Sequence, residues 1–173
     1  MKPKILIAGG SHADIPIIKA AQNLGYFVIT SGNRKEDLGH QYSDQYCPAD
    51  FSDKEAILEL AIKTEVVGVC ASANDFSALS CSYVAEKLGL KGHDDFLTSE
   101  IIHHKDKYRK FATENGVFTP HFQSFQNQKQ VLDSVDSFSF PVIVKPIDLT
   151  GGKGISVAEN VDELVEAVNK AFS

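Results

Sequence analysis

The sequence lacks the cysteine patterns that build disulfide frameworks and zinc sites. Its 173 residues hold three cysteines, an odd number, and no two of them stand in CxxC spacing. This usage is typical of a reducing compartment and predicts free thiols in a cytoplasmic protein. No stretch approaches the ~20 apolar residues that a membrane-spanning helix needs, and the first apolar run is too short for a signal peptide. We therefore expect no membrane association.

The sequence also lacks an excess of basic charge. Lysine and arginine number 17 against 23 acidic residues, and the net charge of −6 is not concentrated in a tail. A nucleic-acid-binding protein usually presents a basic face, so the balance argues against nucleic acid as a partner. A few local lysines can still hold a small anion. The length suffices for one domain, or for a domain and part of a second.

Two common nucleotide-binding motifs are absent. From Gly9 the chain reads Gly-Gly-Ser-His-Ala-Asp, without the third glycine of G-x-G-x-x-G. The second strand ends in Thr30-Ser31-Gly32, where a ribose-binding acidic residue would stand, so a nicotinamide oxidoreductase is only a distant third hypothesis. The P-loop pattern is missing as well. No histidine pair has metal-ligand spacing and no nucleophile–base pair can be argued, so catalytic residues stay unassigned and no metal ligand is expected.

What the sequence does contain is a regular alternation of strands and helices over residues 1–93. Apolar runs predict strands at 5–8, 26–30 and 66–71, and helical spacing predicts helices at 13–24, 53–63 and 74–89. Residues 34–52 look irregular. Strands separated by helices form parallel sheets with right-handed crossovers. We expect a Rossmann-like domain over residues 1–93.

A different rhythm over residues 94–173 predicts a small α+β subdomain, so the fold class is α/β with two regions. Its expected elements are helices at 94–104 and 106–115, the second capped by Asp106, a strand at 121–125, a helix at 127–137, strands at 141–144 and 155–158, and a last helix at 161–172.

The turn Gly9-Gly10-Ser11 is the first candidate site. It follows the first strand, and ligands of open parallel sheets bind beyond the carboxyl ends of the strands. The same residues are equally compatible with a tight strand-to-helix turn that binds nothing. We therefore treat Gly9, Gly10 and Ser11 as candidate substrate-binding residues.

The second candidate site is a glycine-rich turn between two strands, Gly151-Gly152-Lys153-Gly154, preceded by Lys145. Glycines let backbone amides approach a phosphate closely, and successive amides form an anion-binding concavity. Alone, such a turn is more often an ordinary hairpin. Lys145 favours phosphate binding because strand alternation places it with Ile143 on one face of the strand, between two apolar neighbours. Lys107, at the start of a helix, would by itself indicate only a solvated helix face.

In this order and spacing the elements resemble the ATP-grasp superfamily. The resemblance covers essentially the whole chain: the α/β region, Asp106-Lys107 opening a helix that leads to Gly116 and Pro120, and the strand Pro-Val-Ile-Val-Lys-Pro at 141–146 before the glycines. Among relatives, the chain looks most similar to carbamoyl-phosphate-synthase-like and purine-biosynthetic ligases.

The resemblance implies a function and roles for residues. ATP-grasp enzymes activate a carboxylate as an acyl phosphate with ATP and Mg²⁺, and an amine or another nucleophile, such as a thiol, then displaces phosphate. Lys107 and Lys145 would contact the ATP phosphates, and Gly151, Gly152, Lys153 and Gly154 would form a flap over them. Gly9, Gly10 and Ser11 would lie near the acceptor substrate. The implied partners are small carboxylate and amine substrates.

The main departure from the family is length. The family's second half, which holds adenine, ribose and the metal, has no counterpart in these 173 residues, so we expect no ATP turnover by this chain alone and completion by a second chain or a C-terminal half. The alternative hypothesis is a non-catalytic Rossmann-like module that binds a small metabolite or a partner through the Gly9–Ser11 turn.

Overall fold

The computed structural model describes residues 1–147, 149 and 151–173, and they divide into two compact units, 1–100 and 101–173. The predicted boundary after residue 93 falls inside the first unit. The candidate site residues all lie within the described ranges. Within those ranges, no helix is both long and apolar enough to cross a membrane.

The first unit is built on a four-stranded parallel sheet, as the strand–helix alternation predicts. Its strands are β1 (Lys4–Ala8), β2 (Phe27–Ser31), β3 (Gln45–Tyr46) and β4 (Gly68–Ala71), in the spatial order β3-β2-β1-β4. Its helices are α1 (Ile15–Asn23), α2 (Lys54–Thr64), α3 (Asp75–Leu88) and α4 (Phe96–His103), which reaches into the second unit. The α/β fold class is confirmed.

Residues on alternate faces of the central strand feed two apolar clusters. Leu6 and Ala8 of β1 join residues of α2 and α3, whereas Ile7 packs with Ile18 of α1, and all four side chains are fully buried. A strand covered on both faces reads as a continuous apolar run. This is why β1 was recognisable from the sequence.

Helix α2 begins and helix α3 ends at residues that the sequence indicates. The Asp53 carboxylate accepts hydrogen bonds from the amides of Glu55 and Ala56 and caps α2, and Gly89 ends α3 in a left-handed conformation. The segment 34–52 is more regular than predicted. It contains a 3-10 helix, Leu38–Tyr42, and the edge strand β3.

The second unit packs helices on one face of a two-stranded antiparallel sheet. Its elements are α5 (Lys105–Glu114), α6 (Gln128–Asp133), a 3-10 helix at Val135–Ser137, β5 (Val142–Val144), β6 (Ser156–Ala158) and α7 (Val161–Ala171). The core consists of four buried residues, Val131, Ala158, Leu164 and Val168.

Three expectations for this region are wrong in detail. Helix α5 is capped by His104, so Asp106 lies in its first turn, where a carboxylate still interacts favourably with the helix dipole. Residues 121–125 form no strand, because no strand of the described chain pairs with them. The helix expected over 127–137 ends at Asp133 and gives way to the 3-10 helix.

Candidate functional site

The strand that leads to the glycine turn has the predicted alternation. Val142 and Val144 pack against the core of the second unit, whereas Ile143 and Lys145 are exposed. Ile143 pairs with Val157 of β6, which is also more than half exposed. Lys145 therefore lies on the exposed, partly apolar side of the strand and not on the side that packs against the core.

The glycine turn itself requires glycine. Gly151, Gly152 and Gly154 have φ angles of +66°, +77° and +69°, which side-chain-bearing residues rarely adopt. Around Gly151 and Gly152 there is open space, whereas a Cβ on Gly154 would lie 2.7 Å from Cγ of Pro146. The turn thus folds back onto the residue that follows Lys145. This arrangement leaves two left-handed glycines in the open beside Lys153, which is exposed.

Lys105, which the sequence reasoning did not single out, holds the loop that leaves β5. Its Nζ atom donates hydrogen bonds to the carbonyl oxygens of Ile147, at 3.4 Å, and Leu149, at 2.5 Å. The first residue of α5 is thereby tied to the segment between Lys145 and the glycines. No local sequence pattern indicates this role of Lys105, because the contact joins residues more than 40 positions apart.

Lys107 lies two residues further along the same helix and is half-buried. Residues two positions apart on an α-helix are separated by about 200° around its axis, so Lys105 and Lys107 lie on different sides of α5. The structure shows a hydrogen-bonded connection from Lys105 to the loop after Lys145, and the role of Lys107 stays a prediction.

In the first unit, a buried carboxylate organises the Gly9–Ser11 turn. Asp14 is 1% exposed, and its Oδ2 accepts hydrogen bonds from the backbone amide and the hydroxyl of Ser11, at 2.7 and 2.9 Å. Its Oδ1 accepts from the hydroxyl of Ser72 and the amide of Ala73, at 2.8 and 3.1 Å. Asp14 thus joins the loops after β1 and β4, at the crossover where ligands of such sheets bind. The Ser-x-x-Asp capping box was its sequence signal.

A histidine lies directly under the same turn. A Cβ on Gly10 would come within 1.9 Å of Cε1 of His40, and one on Gly39 would be 2.5 Å from the carbonyl oxygen of Ser11. The amide of Gly39 donates to the carbonyl oxygen of Gly10 at 2.8 Å. The turn is therefore seated on the 3-10 helix that carries His40, a contact between segments 30 residues apart that no local pattern announces.

His40 is 8% exposed, and burial lowers its pKa, while the carboxylate of Asp37, a hydrogen bond to the backbone of Arg34 and the carboxylate of Asp14 oppose that effect. Its Nδ1 lies 2.9 Å from Oγ1 of Thr30, and its ring contacts that of Tyr46 with the centroids 4.2 Å apart. A neutral imidazole therefore supports the turn at neutral pH.

Metal ligands are not found among the residues that the structure describes, where no cluster of histidine, cysteine and acidic side chains could hold an ion. Lys105, Lys145 and the open glycines supply positive charge and accessible backbone, the kinds of group that pair with anionic oxygens.

A comparison with family models matches residues 103–173 to the phosphoribosylglycinamide synthetase ATP-grasp (A) domain. The chain is 25% identical over 169 residues to the carbamoyl phosphate synthase large chain of Pseudothermotoga lettingae, covering 92% of this chain and 15% of that one. It is 27% identical over 170 residues to the formate-dependent phosphoribosylglycinamide formyltransferase of Prochlorococcus marinus, covering 98% and 43%.

Among solved structures, an L-amino acid ligase from Bacillus licheniformis superimposes with a TM-score of 0.77 and 25% identity, over 99% of this chain and 42% of that one. The chain spans less than half the length of these relatives. Both kinds of comparison converge on the same enzymes that the motifs indicate. Residues 103–173 therefore match an ATP-grasp domain, and the chain as a whole is similar to a part of these longer enzymes.

Proposed function

We propose that this chain provides the phosphate-binding part of an ATP-dependent carboxylate–amine ligase that works through an acyl phosphate, with a thiol or a carboxylation substrate as variants of the same chemistry. The observation that carries the proposal is the arrangement of Lys105 and Lys145 around one glycine turn. The first reaches the loop carbonyls of Ile147 and Leu149, and the second lies beside the proline onto which Gly154 folds.

The chemistry asks for positive charge and backbone donors around a polyphosphate. In phosphoryl transfer the protein acts almost entirely by positioning and by stabilising charge on the transferred group. In this proposal the ammonium groups of Lys105 and Lys145 would pair with phosphate oxygens, and the left-handed Gly151 and Gly152 would let backbone amides face an anion. Lys107 and Lys153 remain further candidates for the same role.

ATP-grasp ligases use ATP and Mg²⁺, and the bound metal neutralises charge on the phosphates. Because the described residues form no metal-binding cluster, we assign no metal ligand in this chain and derive no step from it. We propose that turnover needs metal ligands supplied by a further polypeptide segment or a second chain, and that the 173 residues alone bind nucleotide weakly. The Gly9–Ser11 turn would contact the acceptor substrate.

Binding of ADP without metal tests the proposal. We expect Lys105→Ala and Lys145→Ala each to weaken ADP binding by about tenfold, the loss of one charge-assisted contact of about 1.4 kcal/mol, as measured by equilibrium titration at low salt. Lys110→Ala is the matched control, because Lys110 lies on the same helix and forms an exposed ion pair with Glu114, at 3.9 Å.

The same titration separates the two function hypotheses. In a non-catalytic module that uses only the first unit, the substitutions at Lys105 and Lys145 would leave ligand binding unchanged. Equal ADP affinity of all three variants and the parent chain would therefore favour the module. Robust ATP hydrolysis by the purified chain would contradict the proposed need for additional metal ligands.

A further inference from the structure

The second unit contains a strand edge that no other strand covers. In the described part of the chain, β6 pairs with β5 alone. Natural proteins protect open sheet edges with proline and with charged side chains, lysine above all. Pro141 and Lys145 flank β5 in this way, whereas Ser156–Ala158 of β6 has neither proline nor lysine within it or directly beside it. The outer edge of β6 is therefore the less protected of the two.

Helix α7 lies along this edge and forms a groove with it, the β6–α7 groove. Leu164 and Val168 of the helix face the core of the second unit. A neighbouring side of α7, with the spacing i, i+3, i+4 and i+7 that places residues on one side of a helix, borders the strand. The groove is lined by two residues of β6 and four of α7: Ser156, Val157, Glu163, Glu166, Ala167 and Lys170. The three charged side chains among them are exposed, so they are available to a partner.

The charges of the groove are ordered along α7. Glu163 lies in the first turn and Lys170 in the last turn, with Glu166 between them. The Glu163 carboxylate is held in place, because its Oε2 accepts from the amide of Glu159 at 2.9 Å and its Oε1 from the side-chain amide of Asn160 at 2.8 Å. The groove is therefore acidic at one end and basic at the other.

This order of charges is complementary to itself. When a two-fold axis passes between Glu166 and Ala167, two α7 helices run antiparallel beside each other. Lys170 of each copy then lies opposite Glu163 of the other, and the small Ala167 lies opposite Glu166. A two-fold contact uses the same patch on both copies, so each pair of opposite charges forms twice. A parallel arrangement would instead place like charges opposite each other.

We propose that the β6–α7 groove is a dimerisation surface and that its occupant is a second copy of this chain. A two-fold axis perpendicular to the sheet pairs the outer edges of the two β6 strands antiparallel and keeps both α7 helices on the same face. Two sheets of two strands become one sheet of four, which gives the open backbone groups of β6 partners. The charges choose the occupant, because a second copy already carries the complementary order. This inference is independent of the proposed nucleotide binding.

Sedimentation equilibrium of the full chain without nucleotide, from micromolar to submillimolar concentration, tests the proposal. We expect a monomer–dimer equilibrium. Lys170→Glu places like charges opposite each other at both ends of the contact, so it should weaken the dimer by about tenfold or more. Lys110→Glu is the control, because it makes the same change of charge at an exposed position of α5, and it should leave the dimer unchanged. A chain that stays monomeric, or a dimer that Lys170→Glu does not weaken, would overturn the proposal.

A second variant tests the strand pairing apart from the ion pairs. Val157 is exposed in the middle of β6, so the monomer can accept a lysine there. In the dimer, Val157→Lys brings two like charges together near the axis, and like charges on paired strands are destabilising. We expect this variant to dissociate the dimer as Lys170→Glu does. A dimer that tolerates Val157→Lys would contradict the pairing of the β6 edges.

Zero-length cross-linking identifies the residues in contact. A carbodiimide joins a lysine amine and a carboxylate in an amide bond when the two groups touch. In an equal mixture of unlabelled and ¹⁵N-labelled chains, we expect Lys170 joined to Glu163 in products that contain one peptide of each label. Such mixed products distinguish a contact between copies from a link between Lys170 and Glu166 of one helix. Links within single copies only, or a dimer linked through other residues by another partner surface, would overturn the proposal.

Discussion

The ammonium of Lys105 donates a hydrogen bond to the carbonyl oxygen of Leu149 across 2.5 Å. This contact joins the first residue of α5 to a loop 44 residues further along the chain. Because the loop lies between Lys145 and the glycine turn, the lysine fixes the root of the segment that is proposed to close over phosphates. A cation that binds loop carbonyls can exchange them for phosphate oxygens, which are stronger acceptors.

Replacing Lys105 by methionine should loosen this loop. Methionine keeps most of the side-chain length but cannot donate to the carbonyl oxygens of Ile147 and Leu149, so we expect amide exchange over residues 142–158 to accelerate severalfold. Hydrogen exchange followed by mass spectrometry measures this. Lys110→Met on the same helix is the control and should leave the exchange unchanged. Equal exchange in both variants would show that the contact does not restrain the loop.

The sequence identified parts of the proposed phosphate site but not the contact of Lys105 with the loop after β5. Lys145 and the glycines were recognisable because strand alternation and left-handed turns are local properties of the chain. The contact of Lys105 with the loop could not be predicted, because the side of a helix that meets a distant loop depends on where the helix packs. That packing is decided by contacts with residues more than 40 positions away.

Gly10→Ala should destabilise the first unit. Its methyl group would fall 1.9 Å from the His40 ring, and overpacking of a filled site costs about 1–3 kcal/mol. Chemical denaturation measures the loss. In the background of His40→Ala the same substitution should cost clearly less, because the ring that it meets is gone. Equal costs in both backgrounds would mean that the two residues do not interact, since such a cycle isolates their coupling.

Asp14→Asn should also destabilise the first unit, by about 1–3 kcal/mol. The carboxylate accepts four hydrogen bonds, and asparagine replaces one of its oxygens by an NH₂ group that would face the backbone amide of Ser11 or of Ala73. Ser11 and Ser72 can reorient their hydroxyls, but the amides of Ser11 and Ala73 cannot. Asp53→Asn is the matched control: it is an exposed helix cap, and asparagine caps helices equally well. Thermal unfolding measures both variants, and an equal decrease of the midpoint temperature in the two would contradict the assigned role of Asp14.

The fold was predictable where elements are regular and fully covered. β1 reads as an apolar run because both of its faces are buried, and Asp53 and Gly89 mark helix ends through side-chain and backbone preferences that act locally. The prediction of a strand at 121–125 was wrong because local preferences do not decide whether a strand finds a partner. Aromatic residues such as Phe122 and Phe125 favour a strand, but a strand also needs a partner, and pairing is a property of the whole chain.

The stability of the first unit should fall as the pH drops below about 6.5, the ordinary histidine value. Burial lowers the pKa of His40 in the folded chain, so between the lowered pKa and about 6.5 the unfolded chain binds more protons. Stability therefore rises with pH through this window, is fully present above it and is lost as acid protonates the unfolded state preferentially. Urea denaturation at about pH 7.5 and about pH 5.5 measures the difference. His40→Asn should reduce that difference, whereas His121→Asn, at an exposed position, should preserve it. A His40→Asn variant with the full pH dependence would assign the effect to other groups.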